Sequence, residues 1–147
     1  MARGLPGAVA VGFLVYGIGF IAATIWPMSL GDANWEVAAF GEAAQFGAVP
    51  LIGAALLGGW GAAEGRRMAV LASAVICAVA VGLYGLGVVV LALDVPLVRA
   101  VTAGTGASGM LLRVLVAKAG LLSALYTVVF LSLVVIFSRS FFALRRS

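Results

Sequence analysis

Residues 68–93, MAVLASAVICAVAVGLYGLGVVVLAL, decide the fold: 26 consecutive positions without one charged side chain. A helix needs about 20 apolar residues to cross the hydrocarbon of a bilayer. A membrane β-strand would be shorter, near 10 residues, and would alternate apolar with polar. This stretch does not alternate. In lipid each backbone N–H and C=O must find an internal partner, and a helix provides it. The stretch therefore reads as a transmembrane helix.

Three further runs flank it, at residues 8–26, 44–63 and 111–137. The composition agrees. Of 147 residues, 65% are hydrophobic and only 10% charged, with a mean hydropathy of +1.25. A soluble domain is about 45–50% apolar and about 25% charged. Too few charges remain to coat a water-facing globule, and disordered segments are more polar still. The expected fold is all-α: one integral membrane domain spanning residues 1–147, a four-transmembrane-helix antiparallel bundle. The first run exceeds the 7–15 residues of a signal-peptide core, so it is read as a retained span.

The connections set the orientation. The first carries Asp32, Glu36 and Glu42 and no basic residue; the second is the turn Glu64-Gly65-Arg66-Arg67. With both termini on one side, that side holds Arg3, Arg66, Arg67, Arg139, Arg145 and Arg146, against Arg99, Arg113 and the more deeply placed Lys118 on the other. The positive-inside tendency then puts the N- and C-termini in the cytoplasm, in a cytoplasmic membrane or its equivalent. Trp26, Trp35 and Trp60 fall near span ends, where indoles concentrate.

Helices in lipid associate through small side chains rather than through the hydrophobic effect. Ala54, Gly58 and Ala62 recur every fourth residue on the second span, and Ala74, Ala78 and Gly82 do so on the third. The short turn between these spans makes them antiparallel neighbours, so the two small rows are expected to meet. Surplus small faces would serve a partner. Pro50 costs little in the first turn of a helix and kinks one further in. The segment 32–47 is expected to form a short interfacial helix, with Trp35, Ala39, Ala43 and Phe46 on one side.

The chain has no histidine and one cysteine, Cys77. The usual haem and zinc ligands are therefore missing, as are disulfides, iron–sulfur clusters and the imidazole base of serine hydrolases. Lys118 is the one ionisable residue well inside a span. Its stem can snorkel to the headgroups, or it can pair with Asp94, with Glu42 as the second choice. Residues 104–109, GTGASG, match GxGxxG. They lack the βαβ setting and the later acidic residue that dinucleotide binding needs, so they read as a connector. Asp32, Trp35, Glu36 and Glu42 form a candidate docking face for a partner. Tyr16, Tyr84, Tyr126, Thr127 and Ser123 are candidates for bonds between helices. No catalytic residue, cofactor, metal, nucleotide or nucleic acid is expected.

Trp26-Pro27, then Asp32-Ala33-Asn34-Trp35-Glu36, then Val49-Pro50-Leu51-Ile52-Gly53 resemble a cyanobacterial family of small membrane proteins, the HpsJ-like proteins. The resemblance covers under a third of the chain. It implies a non-enzymatic accessory role around envelope or polysaccharide assembly and transfers no catalytic residue. The function expected first is a non-catalytic accessory or scaffold subunit, meeting the lipid bilayer and other integral membrane subunits or a second copy of itself. Its complex would be one of envelope assembly, bioenergetics or photosynthesis. The alternatives are a small oligomeric transporter or channel with Lys118 on the pathway, and a lipid- or quinone-binding protein.

Overall fold

The computed structural model describes residues 4–27, 29, 32–103 and 106–146. Arg3, one of the orienting charges, lies outside the described residues. So do Gly104 and Thr105 of the glycine-rich motif. Five helices follow in order: α1 Leu5–Ile25, α2 Ala33–Phe46, α3 Ala48–Ala63, α4 Arg67–Val101 and α5 Gly106–Arg146. No strand occurs among the described residues. By length and composition α1, α4 and α5 can each cross a membrane, and α2 with α3 passes the same test as one pair bent by 42°.

α1 opens on Pro6, tolerated there because a first-turn N–H has no helical partner. It buries Gly7, Ala10, Leu14, Gly17 and Ile21, a stripe spaced three and four residues apart. That stripe lies antiparallel on α3. Gly7 stands against the Trp60 ring, Leu14 against Gly53, and Gly17 against Pro50. Adding a Cβ at Gly17 would bring it within 2.7 Å of the Pro50 ring. These glycines set how closely the two backbones approach.

The span expected at residues 44–63 is split. α3 has 16 residues, about 24 Å of rise, too short alone for about 30 Å of hydrocarbon. Pro50 explains the break, because it has no N–H for the Phe46 carbonyl and its ring crowds that carbonyl. At the break the Gly47 N–H turns to the Ala44 carbonyl at 3.4 Å. The Ala43 carbonyl accepts instead from the Tyr84 hydroxyl at 3.0 Å.

α2 continues the line of α3 beside α4. Moving up α4, Ala69 meets Gly61, Tyr84 meets Gly47, and Gly87 makes room for the Phe40 ring. Leu91 then packs on Phe40, and Asp94 lies beside Glu36. Twenty-five residues separate Ala69 from Asp94, about 38 Å along a helix. The α3–α2 pair therefore runs beside α4 as one interrupted, antiparallel rod. The segment 32–47 is not an interfacial helix set apart from the bundle. Its buried face is Glu36, Ala39, Phe40, Ala43 and Ala44, turned from the expected one, because Gly87 receives Phe40 and Asp94 receives Glu36.

The turn from α3 to α4 explains their adjacency. Gly65 has φ +66°, a left-handed position that glycine occupies without steric cost. The Arg66 N–H then reaches the Gly61 carbonyl at 2.7 Å, and the Gly65 N–H reaches the Ala62 carbonyl at 3.4 Å. This is the Schellman closure of a helix. Arg66 also lies 4.6 Å from the Trp60 ring centre.

α4 and α5, with 35 and 41 residues, are longer than the expected spans 68–93 and 111–137. They rise about 52 and 61 Å. Their seam repeats every seven residues. On α4 the buried positions include Val70, Cys77, Tyr84, Leu91 and Val98; on α5, Val116, Ser123, Phe130 and Phe137. A seven-residue repeat specifies left-handed supercoiled packing. Aromatic rings fill its middle, with Tyr84 centred 5.2 Å from Tyr126 and 5.8 Å from Phe130.

Candidate helix-docking groove

A groove of about 510 Å³ opens where α2, α4 and α5 meet. Gly41 of α2 faces Ala119 of α5 there. Leu97, Leu112, Leu115 and Leu122 supply apolar walls, and Glu42, Gln45 and Lys118 supply the polar groups. Each element has a sequence reason to be there. Gly41 leaves the groove floor open, an added Cβ only reaching the Ala119 methyl at 4.0 Å. The break at Gly47 and Pro50 brings α2 down beside α4. The seven-residue seam fixes the rotation of α5 and leaves Lys118 outside it.

Lys118 is exposed. Because α5 begins at Gly106, Lys118 sits twelve residues into its helix, about 18 Å from the helix start. It does not pair with Asp94. The α4–α5 register, marked by Arg113 on Thr102 and by Tyr84 against Tyr126, puts both at one level but on different faces. Asp94 turns toward α2. There it lies beside Glu36, and its Oδ2 is buried without a hydrogen-bond partner. Lys118 instead shares the groove with Glu42, the second choice from sequence, and the two form no ion pair with each other.

The four candidate docking residues separate in the same way. Glu42 faces the groove, Asp32 is exposed, Trp35 is half-buried, and Glu36 is turned inward. Among the described residues no group of three or more His, Cys, Asp or Glu side chains could hold a metal ion.

The two small-residue rows do not meet as expected. Ala54, Gly58 and Ala74 are buried and Ala62 is half-buried, but Ala78 and Gly82 are exposed. A Cβ at Gly82 would touch nothing within 4 Å. Gly58 packs under the Phe137 ring of α5, not against α4, and the close α3–α4 approach belongs to Gly61. The cause is the α4–α5 seam. It turns the Val70–Cys77–Tyr84 face of α4 inward and carries Ala78 and Gly82 outward.

No family model, curated protein or solved structure matches this chain. The site therefore has to be read from its own chemistry.

Of the residues considered for bonds between helices, Tyr84 bonds across helices, to the Ala43 carbonyl. Thr127 bonds the Ser123 carbonyl of its own helix at 2.8 Å, and Tyr16 is exposed. Of the glycine-rich motif, residues 106–109 form the first turn of α5 rather than a connector. The signal that would have found the groove is the pairing of Gly41 with the break at Gly47 and Pro50.

Proposed function

We propose that this chain is a non-catalytic accessory subunit of a membrane complex. It makes four passes as an antiparallel helix bundle in the cytoplasmic membrane of a bacterium, with both termini in the cytoplasm. It docks one transmembrane helix of a partner in the groove between α2 and α5. The observation that carries this reading is that Lys118 and Glu42 open onto one apolar groove without neutralising each other. Charged groups at membrane depth are costly unless something satisfies them. The occupant is therefore an apolar helix that offers an acidic or carbonyl acceptor to Lys118 and a hydroxyl, amide or basic donor to Glu42. Gly41 against Ala119 lets such a helix approach closely, as small residues do in membrane interfaces. The outward row of Ala78 and Gly82 offers a second smooth contact. The resemblance of Trp26–Gly53 to HpsJ-like proteins supports envelope or polysaccharide assembly as the setting.

Purification of the chain in mild detergent tests this. The wild type is expected to hold another integral membrane subunit in fixed ratio. Gly41→Leu, which fills the groove, and Lys118→Met should each reduce that retention about tenfold, in line with loss of a buried charged hydrogen bond of about 1.5–3 kcal/mol. Thermal melting should be little changed in both. A lone monomer, or a partner retained by both variants as well as by the wild type, would overturn the reading. So would a stoichiometric lipid or quinone in place of a protein. Loss of solute flux in vesicles with Lys118→Met would favour a transporter instead.

A further inference from the structure

A second groove, of about 630 Å³, runs along the α4–α5 seam. Val88, Val95, Val116 and Leu121 line its length, and Arg99 and Arg113 also line it. These two arginines lie in the last turns of α4 and the first turns of α5, at the end of the bundle away from the chain termini. Eleven residues separate Val88 from Arg99, about 16 Å along the helix. That is roughly half of the ~30 Å hydrocarbon thickness, the depth of one leaflet. Where the groove passes Gly120, an added Cβ would meet nothing within 4 Å. No carboxylate lines it, so the two positive charges are not neutralised from within.

Arg113 is already oriented. Its Nε–H donates to the Thr102 Oγ1 at 2.7 Å, and that hydroxyl donates to the Val98 carbonyl at 2.6 Å. The two terminal nitrogens of the guanidinium remain for a ligand. A guanidinium fork matches two oxygens of a phosphate. Both arginines also stand on the side of the bundle where the positive-inside tendency disfavours them.

We propose that this groove binds one anionic phospholipid, with its phosphodiester held between Arg99 and Arg113 and one acyl chain lying along the seam toward Val88. Charge complementarity chooses the headgroup, and the depth of the apolar track chooses a lipid over a free phosphate. Basic pockets between membrane helices bind anionic headgroups in this way. Thr102 acts as a positioning residue that fixes Arg113.

The test uses the full chain in nanodiscs of phosphatidylcholine with phosphatidylglycerol as the minor lipid, followed by mass spectrometry of the lipid retained on the protein. The wild type should retain phosphatidylglycerol well above its share in the disc. Arg99→Gln and Arg113→Gln should each cut that enrichment by roughly tenfold or more, the scale of a lost charge-assisted hydrogen bond. Arg139→Gln, at the far end of α5, should not. Gly120→Leu keeps both arginines and fills the track, and it should lower retention of lipid while leaving melting unchanged. Thr102→Val should weaken retention less than Arg113→Gln does. Equal retention of both lipids by the wild type would overturn the proposal, as would enrichment that survives the double arginine variant. Displacement of the lipid by millimolar glycerol phosphate would also overturn it, since the site would then read a free phosphate alone.

Discussion

Tyr84→Ala is expected to destabilise the fold by roughly 3–5 kcal/mol, the range for truncating a large buried aromatic. Three losses coincide at this position. The ring is 3% exposed and packs on Tyr126 and Phe130 of α5. Its hydroxyl also supplies the bond to the Ala43 carbonyl at the α2–α3 break. Water is scarce at that depth, so the carbonyl would be left with no comparable partner. Tyr84→Phe separates the contributions. It keeps the ring and removes only the hydroxyl, at an expected cost of about 0.6–1.7 kcal/mol, the span of measured hydrogen bonds between membrane helices. Unfolding in mixed detergent reads both values. Equal, small losses for the two variants would mean that neither the seam nor the break depends on Tyr84.

Gly58→Leu is the second large effect. A side chain begun at this position runs into the Phe137 ring, which is itself buried. Overpacking of a filled core costs about 1–3 kcal/mol and at times more. The neighbouring Gly59 has nothing within 4 Å of an added Cβ, so Gly59→Leu should be nearly neutral on stability. Phe137→Ala should destabilise alone yet partly rescue Gly58→Leu, because it vacates the space that the leucine needs. Contacting sites are expected to couple by about 0.5–3 kcal/mol in such a double-mutant cycle. Additive losses in the two substitutions would contradict the packing of α3 on α5.

The long spans were legible because α1, α4 and α5 each carry an uninterrupted apolar run. The bent helix pair was half-legible. Residues 44–63 are apolar, but the pair also takes in residues 36–43, where Glu36 and Glu42 dilute the apolar signal. Pro50 was visible as a kink-maker. That Gly47 and Tyr84 would turn its break into a bonded joint depends on contacts 37 residues apart in the chain. The seven-residue repeat from Val70 to Val98 was hidden for a different reason. On a membrane helix, apolar residues occupy the lipid face as well as the packed face, so no polar contrast marks the seam. The same lack of contrast leaves nothing in the sequence to show that Ala78 and Gly82 face outward. Lys118 and Asp94 lie at one level but on different faces, because α5 begins at Gly106 rather than near Leu111 and the packing of the seam sets its rotation.

The central claim is that α2 and α3 together make one pass, so that four passes bring the chain ends to the same side. It is tested most directly by single cysteines placed in a Cys77→Ala background in sealed, oriented vesicles. Ser29→Cys and Ala103→Cys mark the first and third connections, and Glu64→Cys and Arg145→Cys mark the second connection and the tail. A membrane-impermeant maleimide added outside should label the first two together and exclude the last two, or the reverse in inverted vesicles. Labelling of Ser29→Cys and Glu64→Cys from the same side would make α2 and α3 a re-entrant loop and contradict the account.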